Sequence, residues 1–267
     1  MTLIRCNYFS STLDRDVGAY VALPEYQAGE TLPVCYLLHD FYENYTKWVR
    51  RIPVERLADK FHMAMVMPDG NKSFYLDAVK GENYFTYISE ELPDIMAGYF
   101  PVSSDRQDVY LAGAGMGGYG AFRMMLLKPE KYQAAAGFNA MTDIRQVMLD
   151  FAEHPSSISR QAEGLFGGLD EIEGSEADLF HLLEQENSRD TALYVSYDSR
   201  SPYLQMNKEF AAKAEQKGLT VFDEQKEAAF LEEFLYQSLD GFLTKMKCKA
   251  GKEKWDIFST YRDYGCV

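Results

Sequence analysis

Histidine is scarce in this 267-residue chain: four residues, His39, His62, His154 and His181, and none beyond position 181. The four stand far apart, and Cys6, Cys35, Cys248 and Cys266 include no CxxC pair, so the ligand spacing of a zinc centre is missing. Reduced structural thiols, no metal and no cofactor are the expectation. Positive charge is also short, with 27 Lys+Arg against 41 Asp+Glu and a net charge of −14. Such a surface repels phosphate backbones and anionic headgroups, which argues against nucleic-acid or membrane partners. No apolar run approaches the ~20 residues that span a bilayer. The start, Met1-Thr-Leu-Ile-Arg-Cys-Asn, lacks a basic stretch followed by an apolar one. These two features predict a cytoplasmic protein.

What is present is the composition of an ordinary globular chain, 46% apolar and 25% charged, without internal repeats, low-complexity segments or a dividing linker. Short apolar runs alternate with amphipathic stretches. Strands are predicted at 3–9, 17–23, 33–39, 64–68, 108–112, 134–139, 192–197 and 219–222. Several are apolar almost throughout, as burial on both faces of a mostly parallel sheet requires. The first two are too close for a helical crossover and should form an antiparallel hairpin at one edge. Helices are predicted at 83–97, 116–127, 204–217 and 230–245, where apolar residues recur three or four apart. The reading is an α/β domain over residues 1–246, with a cap-like excursion at about 143–190 over the carboxyl ends of the strands. Residues 247–267 form a C-terminal extension carrying the aromatic stretch Trp255 to Tyr264.

The most informative segment is Asp108-Val-Tyr-Leu-Ala-Gly-Ala-Gly-Met-Gly-Gly-Tyr-Gly-Ala, a strand turning through glycines into a helix. Gly113, Gly115 and Gly118 satisfy the dinucleotide fingerprint G-x-G-x-x-G. That use also wants an acidic residue ending the next strand, and Ala134-Ala-Ala-Gly-Phe-Asn-Ala offers none. The alternative is the nucleophile elbow G-x-S-x-G, here Gly113-Ala114-Gly115-Met116-Gly117, with its glycines present and its serine replaced.

Four blocks resemble the esterase D and S-formylglutathione hydrolase-like carboxylesterases of the α/β-hydrolase fold, particularly their tributyrin-esterase-like branch. They are Tyr36-Leu-Leu-His-Asp-Phe-Tyr-Glu-Asn-Tyr-Thr-Lys-Trp, Val66-Met-Pro-Asp-Gly-Asn-Lys-Ser-Phe-Tyr, Tyr84-Phe-Thr-Tyr-Ile-Ser-Glu-Glu-Leu-Pro and Ala112-Gly-Ala-Gly-Met-Gly-Gly-Tyr-Gly-Ala. The resemblance covers roughly residues 1–246 and implies a serine carboxylesterase scaffold. Carried over residue by residue, it places the nucleophile at Gly115, the acid at Ser201, with Asp198 three residues early, and the general base at Phe230. None of these side chains can fill its role, and serine attack needs a base that is itself oriented.

The resemblance also implies oxyanion donors at the backbone N–H groups of Phe41 and Met116, while Asp40 and Glu43 replace two glycines of the family's loop. A carboxylate ~5 Å from a developing oxyanion would oppose it by about 3 kcal/mol at an effective dielectric of 20, unless Asp40 turns to solvent. The former cleft is expected to be lined by His39, Asp40, Phe41, Tyr42, Tyr45, Phe74, Tyr75, Ala114 and Phe230.

The first functional expectation is a non-catalytic relative that binds a small ester- or acyl-like ligand or a protein partner. The second is an esterase using unconventional residues, with Ser73, Ser89, Ser199 or Ser201 as nucleophile, His39 as base, and Asp40 or Asp198 orienting it. A third is a structural subunit docking on an active paralogue through the aromatic tail. A homo-oligomer is expected by analogy with related esterases.

Overall fold

The computed structural model describes residues 1–152, 163–185 and 191–249. Eight strands form one sheet: β1 (Thr2–Ser10), β2 (Arg15–Leu23), β3 (Val34–Leu38), β4 (Ala64–Pro68), β5 (Val109–Ala114), β6 (Ala134–Phe138), β7 (Ala192–Asp198) and β8 (Thr220–Lys226). Their spatial order is β1-β2-β4-β3-β5-β6-β7-β8. β1 and β2 form the expected antiparallel edge hairpin, β2 also runs antiparallel to β4, and every remaining pair is parallel.

Alternation along the central strands divides the core in two. On β3, Val34, Tyr36 and Leu38 enter one apolar layer, while Cys35 and Leu37 enter the other. The second layer is closed by α1 (Lys47–Arg51), α2 (Val54–Phe61) and α9 (Leu231–Lys249), through Trp48, Leu57, Phe61, Leu235, Leu239 and Phe242. The first is closed by α3 (Tyr84–Thr86), which passes through a π-helical turn at Tyr87–Glu91 into α4 (Leu92–Tyr99), and by α5 (Met116–Leu127). α6 (Ile144–Ala152), α7 (Leu179–Gln185) and α8 (Leu204–Gln216) complete that side.

The expected excursion at 143–190 includes α6 and α7, with residues 153–162 and 186–190 outside the described set. Its described part packs on the flank of α5: the Tyr119 hydroxyl donates to Ala177 O at 2.7 Å and Arg123 Nε to Glu176 O at 2.7 Å. α9 runs on to Lys249, so the expected boundary at 246 falls inside a helix. The rest of the extension, with Trp255 to Tyr264, lies outside the described residues. Cys6 and Cys35 are free thiols, but Cys248 is disulfide-bonded, which corrects the expectation of four reduced cysteines. Among the described residues no helix is long and apolar enough to cross a membrane, and no group of three or more His, Cys, Asp or Glu could hold a metal.

α5 carries three glycines in its first turns, each unfavourable in a helix interior by about 1 kcal/mol. Close packing explains all three, since a Cβ on Gly118 would press on Ala140 and one on Gly120 on the Tyr75 ring, and Gly117 meets main chain. A Cβ on Gly117 would overlap the backbone carbonyl of Leu38 and crowd the carbonyl oxygen of His39, so the helix approaches β3 with nothing between the two main chains. Gly117→Ala should lower unfolding free energy by about 3 kcal/mol, because backbone cannot yield as a side chain can. Gly98→Ala in α4, where a Cβ meets nothing within 4 Å, should raise it by about 0.5–1 kcal/mol. Denaturant titration of the two variants checks both signs.

Candidate functional site: a carboxylate held at the β5–α5 turn

The chain leaves β5 at Ala114, makes a single-residue turn at Gly115 and enters α5 at Met116. Gly115 sits at φ +54°, ψ −115°, a conformation that costs an L-residue about 1–3 kcal/mol and glycine little. Gly115 N donates to Phe138 O at 3.0 Å, and Gly115 O accepts from Tyr119 N at 3.1 Å and Met141 N at 3.2 Å, so the turn is fixed from three sides. The strand, single-residue turn and helix follow the path expected of a nucleophile elbow, with glycine at its centre.

The space above Gly115 is filled from the facing loop. A Cβ at this position would overlap Oδ1, Cγ and Oδ2 of Asp40. Asp40 Oδ1 accepts hydrogen bonds from Phe41 N at 2.7 Å and Met116 N at 2.9 Å, the two amides expected to form an oxyanion hole. The carboxylate therefore neither turns to solvent nor stands off at ~5 Å, as the sequence left open. It sits on those two amides, where the N–H groups and the start of α5 favour negative charge.

The loop behind Asp40 is rigid for identifiable reasons. His39 is fully buried; Gly70 N donates to its Nε2 at 2.8 Å, which leaves the proton on Nδ1, and Nδ1 donates to Asp40 O at 2.8 Å. The Tyr75 hydroxyl donates to His39 O at 3.1 Å. Ser73 Oγ donates to Gly70 O at 2.6 Å and accepts from Tyr75 N at 3.0 Å. Phe74 and Tyr75 both have positive φ, +51° and +56°, rare for bulky residues. This conformation turns both rings inward.

The cleft expectation is corrected at several positions. His39, Phe41, Phe74 and Tyr75 are buried beneath the site and do not line the cavity. Phe74 packs against Phe41, Tyr119 and Phe166. Tyr45 lies at the sheet edge, bonded through its hydroxyl to Arg5 and packed beside Tyr20. Asp40, Tyr42, Ala114 and Phe230 do face the cavity. Both nitrogens of His39 are engaged, so it offers no lone pair to a serine. Ser73 is bonded within its own turn and Ser89 is buried beside α4.

Across the cavity, Asp198 ends β7. Its Oδ1 accepts from Arg200 N at 2.9 Å and Arg200 Nε at 3.0 Å, and its Oδ2 from Arg200 Nη2 at 3.2 Å and Ala228 N at 3.3 Å. Arg200 Nη2 also donates to the Ala228 carbonyl, bridging to the loop that carries Phe230. The hydrogen bonds from Arg200 hold the Asp198 carboxyl at about 2, below the usual carboxylate range. Ser201 lies beyond this pair, its Oγ accepting from Tyr203 N at 3.1 Å, and Phe230 is 70% exposed at the rim. A guanidinium cannot accept a proton from a nucleophile at physiological pH.

The cavity has a volume of about 690 Å3. Its remaining wall includes a charged row that sequence reasoning passed over: Glu43 pairs with Lys47 and Arg51, and Arg51 with Glu232 at 2.6 Å. The spacing 43, 47, 51 is a one-face helical repeat and was the available signal. Arg200 was also missed, though it stands two residues beyond a strand-ending carboxylate.

Gly115→Ser should lower stability by about 3 kcal/mol, from the positive φ and the collision with Asp40. In an Asp40→Gly background the same substitution should be milder by at least about 1 kcal/mol, a coupling that a double-mutant cycle in denaturant reads directly. Because the Asp198 pKa is depressed, the stability it contributes is full above the unfolded value of about 4 and is lost as pH falls toward 2. The stability difference between the native chain and Arg200→Ala should therefore shrink over that window, measured by denaturant titration at successive pH values.

The sequence matches the Esterase family over residues 10–234. An acetyl esterase of Caldicellulosiruptor saccharolyticus is 25% identical over 243 residues, covering 85% of this chain and 91% of that protein. Among solved structures, the fluorophosphonate-binding serine hydrolase FphF of Staphylococcus aureus superimposes with a TM-score of 0.83 at 25% identity, over 92% of this chain and 98% of that one. The S-formylglutathione hydrolase FrmB of the same organism gives a TM-score of 0.80 at 25% identity, with the same coverage of each chain. Together with the strand order, the one-residue turn after β5 and the facing amide pair, these similarities identify the chain as a member of the Esterase family on an α/β-hydrolase fold.

Proposed function

We propose that this chain is a non-catalytic member of the Esterase family whose cleft binds a small ligand without hydrolysing it. The observation that carries the reading is the carboxylate of Asp40 on the amides of Phe41 and Met116, in the volume a nucleophile side chain would take above Gly115. An acyl group cannot enter a hole already holding an anion without displacing it, and a glycine cannot form an acyl intermediate. On the opposite wall Asp198 is paired with Arg200, whose guanidinium stays charged and cannot serve as a base.

The second reading, a carboxylesterase acting on small esters through other residues, is favoured by the family match and by the relatives' activities. The two readings part on one experiment. Incubation with a fluorophosphonate probe and with p-nitrophenyl acetate should give no labelled serine and a turnover about a millionfold below that of an intact triad enzyme. Gly115→Ser should remain equally inactive, since no imidazole stands across from it. Labelling of the native chain at a single serine would establish the hydrolytic reading instead, whereas turnover restored by Gly115→Ser would show that a base does stand across from that position.

A further inference from the structure

Among the described residues, charges in the cavity wall are matched one against another, with a single exception. Glu43 is paired with Lys47 and Arg51, and Asp198 with Arg200. Lys47 is buried, and the Arg200 guanidinium is committed to Asp198 and the Ala228 carbonyl. These cations are already engaged by carboxylates. Asp40, among the described residues, pairs with no cation. Its Oδ1 is held by the two amides, while no hydrogen bond or ion pair from a described residue reaches its Oδ2. Asp40 is half-buried and lines the cavity together with Tyr42, Tyr203 and Phe230. Tyr42 and Phe230 are 69% and 70% exposed, large aromatic surfaces presented at the mouth of a polar cavity.

An oriented carboxylate oxygen without a counter-charge, beside several aromatic rings, is the chemistry that recognises an ammonium group. Lys72 already illustrates the attraction, with Nζ 5.2 Å from the Phe41 ring and 5.4 Å from the Tyr42 ring, although Lys72 itself does not line the cavity. The net charge of −14 draws cations toward the molecule and repels anions. We infer that the cavity takes an organic ammonium ligand, its charged nitrogen on Asp40 Oδ2 and its apolar part against Tyr42, Tyr203 and Phe230. The inference deepens the proposed binding role of the same cleft and rests on Asp40 keeping its place on the two amides.

Isothermal titration calorimetry of the full chain at low ionic strength tests it, with benzylammonium chloride as the probe and benzyl alcohol and sodium benzoate as neutral and anionic counterparts. Benzylammonium should bind, and the other two should bind more weakly by about tenfold or more. Asp40→Asn keeps one oxygen for both amides but replaces Oδ2, the proposed acceptor, with an uncharged NH2 donor, and should weaken benzylammonium by about tenfold or more. Tyr42→Ala, at an exposed position, should weaken it by about threefold. Equal affinity for benzyl alcohol, preference for benzoate, unchanged binding in Asp40→Asn, or no binding of benzylammonium each overturns the inference. Ester turnover is a separate readout: a chain that hydrolyses p-nitrophenyl acetate and still binds benzylammonium through Asp40 sinks the non-catalytic reading and keeps the ammonium site.

Discussion

Two backbone N–H groups, from segments 75 residues apart, converge on one carboxylate oxygen. Phe41 N and Met116 N both donate to Asp40 Oδ1. Hydrogen bonds to an ionised acceptor are roughly twice as strong as those between neutral groups, and here they also join the loop after β3 to the start of α5. The bare elbow follows from the same contact, since any side chain at Gly115 would collide with the carboxylate. So does the open second oxygen, because anchoring Oδ1 leaves Oδ2 as the carboxylate's remaining acceptor toward the cavity.

That contact depends on a loop built beneath it. His39 links Gly70 to Asp40 through its two ring nitrogens, and Tyr75 supports the His39 carbonyl. Phe74 brings its ring against Phe41, so the side chain beside one donating amide is fully buried. Two aromatic residues with positive φ are an unfavourable element, and the bonds among Gly70, Ser73 and Tyr75 hold them there.

Much of this architecture could be read from residues alone. β4 and α5 fall at 64–68 and 116–127, as the continuous apolar run and the glycine-to-helix transition indicate. β8 extends past the predicted 219–222 to Lys226 because its second half is Asp, Glu, Gln and Lys, held by pairing with β7 rather than by an apolar run. α2 was overlooked despite Val54, Leu57, Ala58 and Phe61 on one face, since eight residues give a short stripe. At the site, the bare turn at Gly115 was legible from the glycine motif, and the amides of Phe41 and Met116 were indicated by the family resemblance. The direction of Asp40 was not, because it depends on a rotamer set by an amide far along the chain. Nor could the sequence foretell that a positive-φ turn would hide Phe74 and Tyr75, or that Arg200 would span two loops.

The doubly buttressed loop has a thermodynamic consequence for any molecule that enters the cavity. Its acceptor is oriented beforehand by main-chain donors, and its floor is a close-packed aromatic layer, so little chain entropy remains to be lost on encounter. A guest meets a nearly finished mould, and selectivity among guests then reflects shape and the sign of their charge more than the protein's capacity to rearrange.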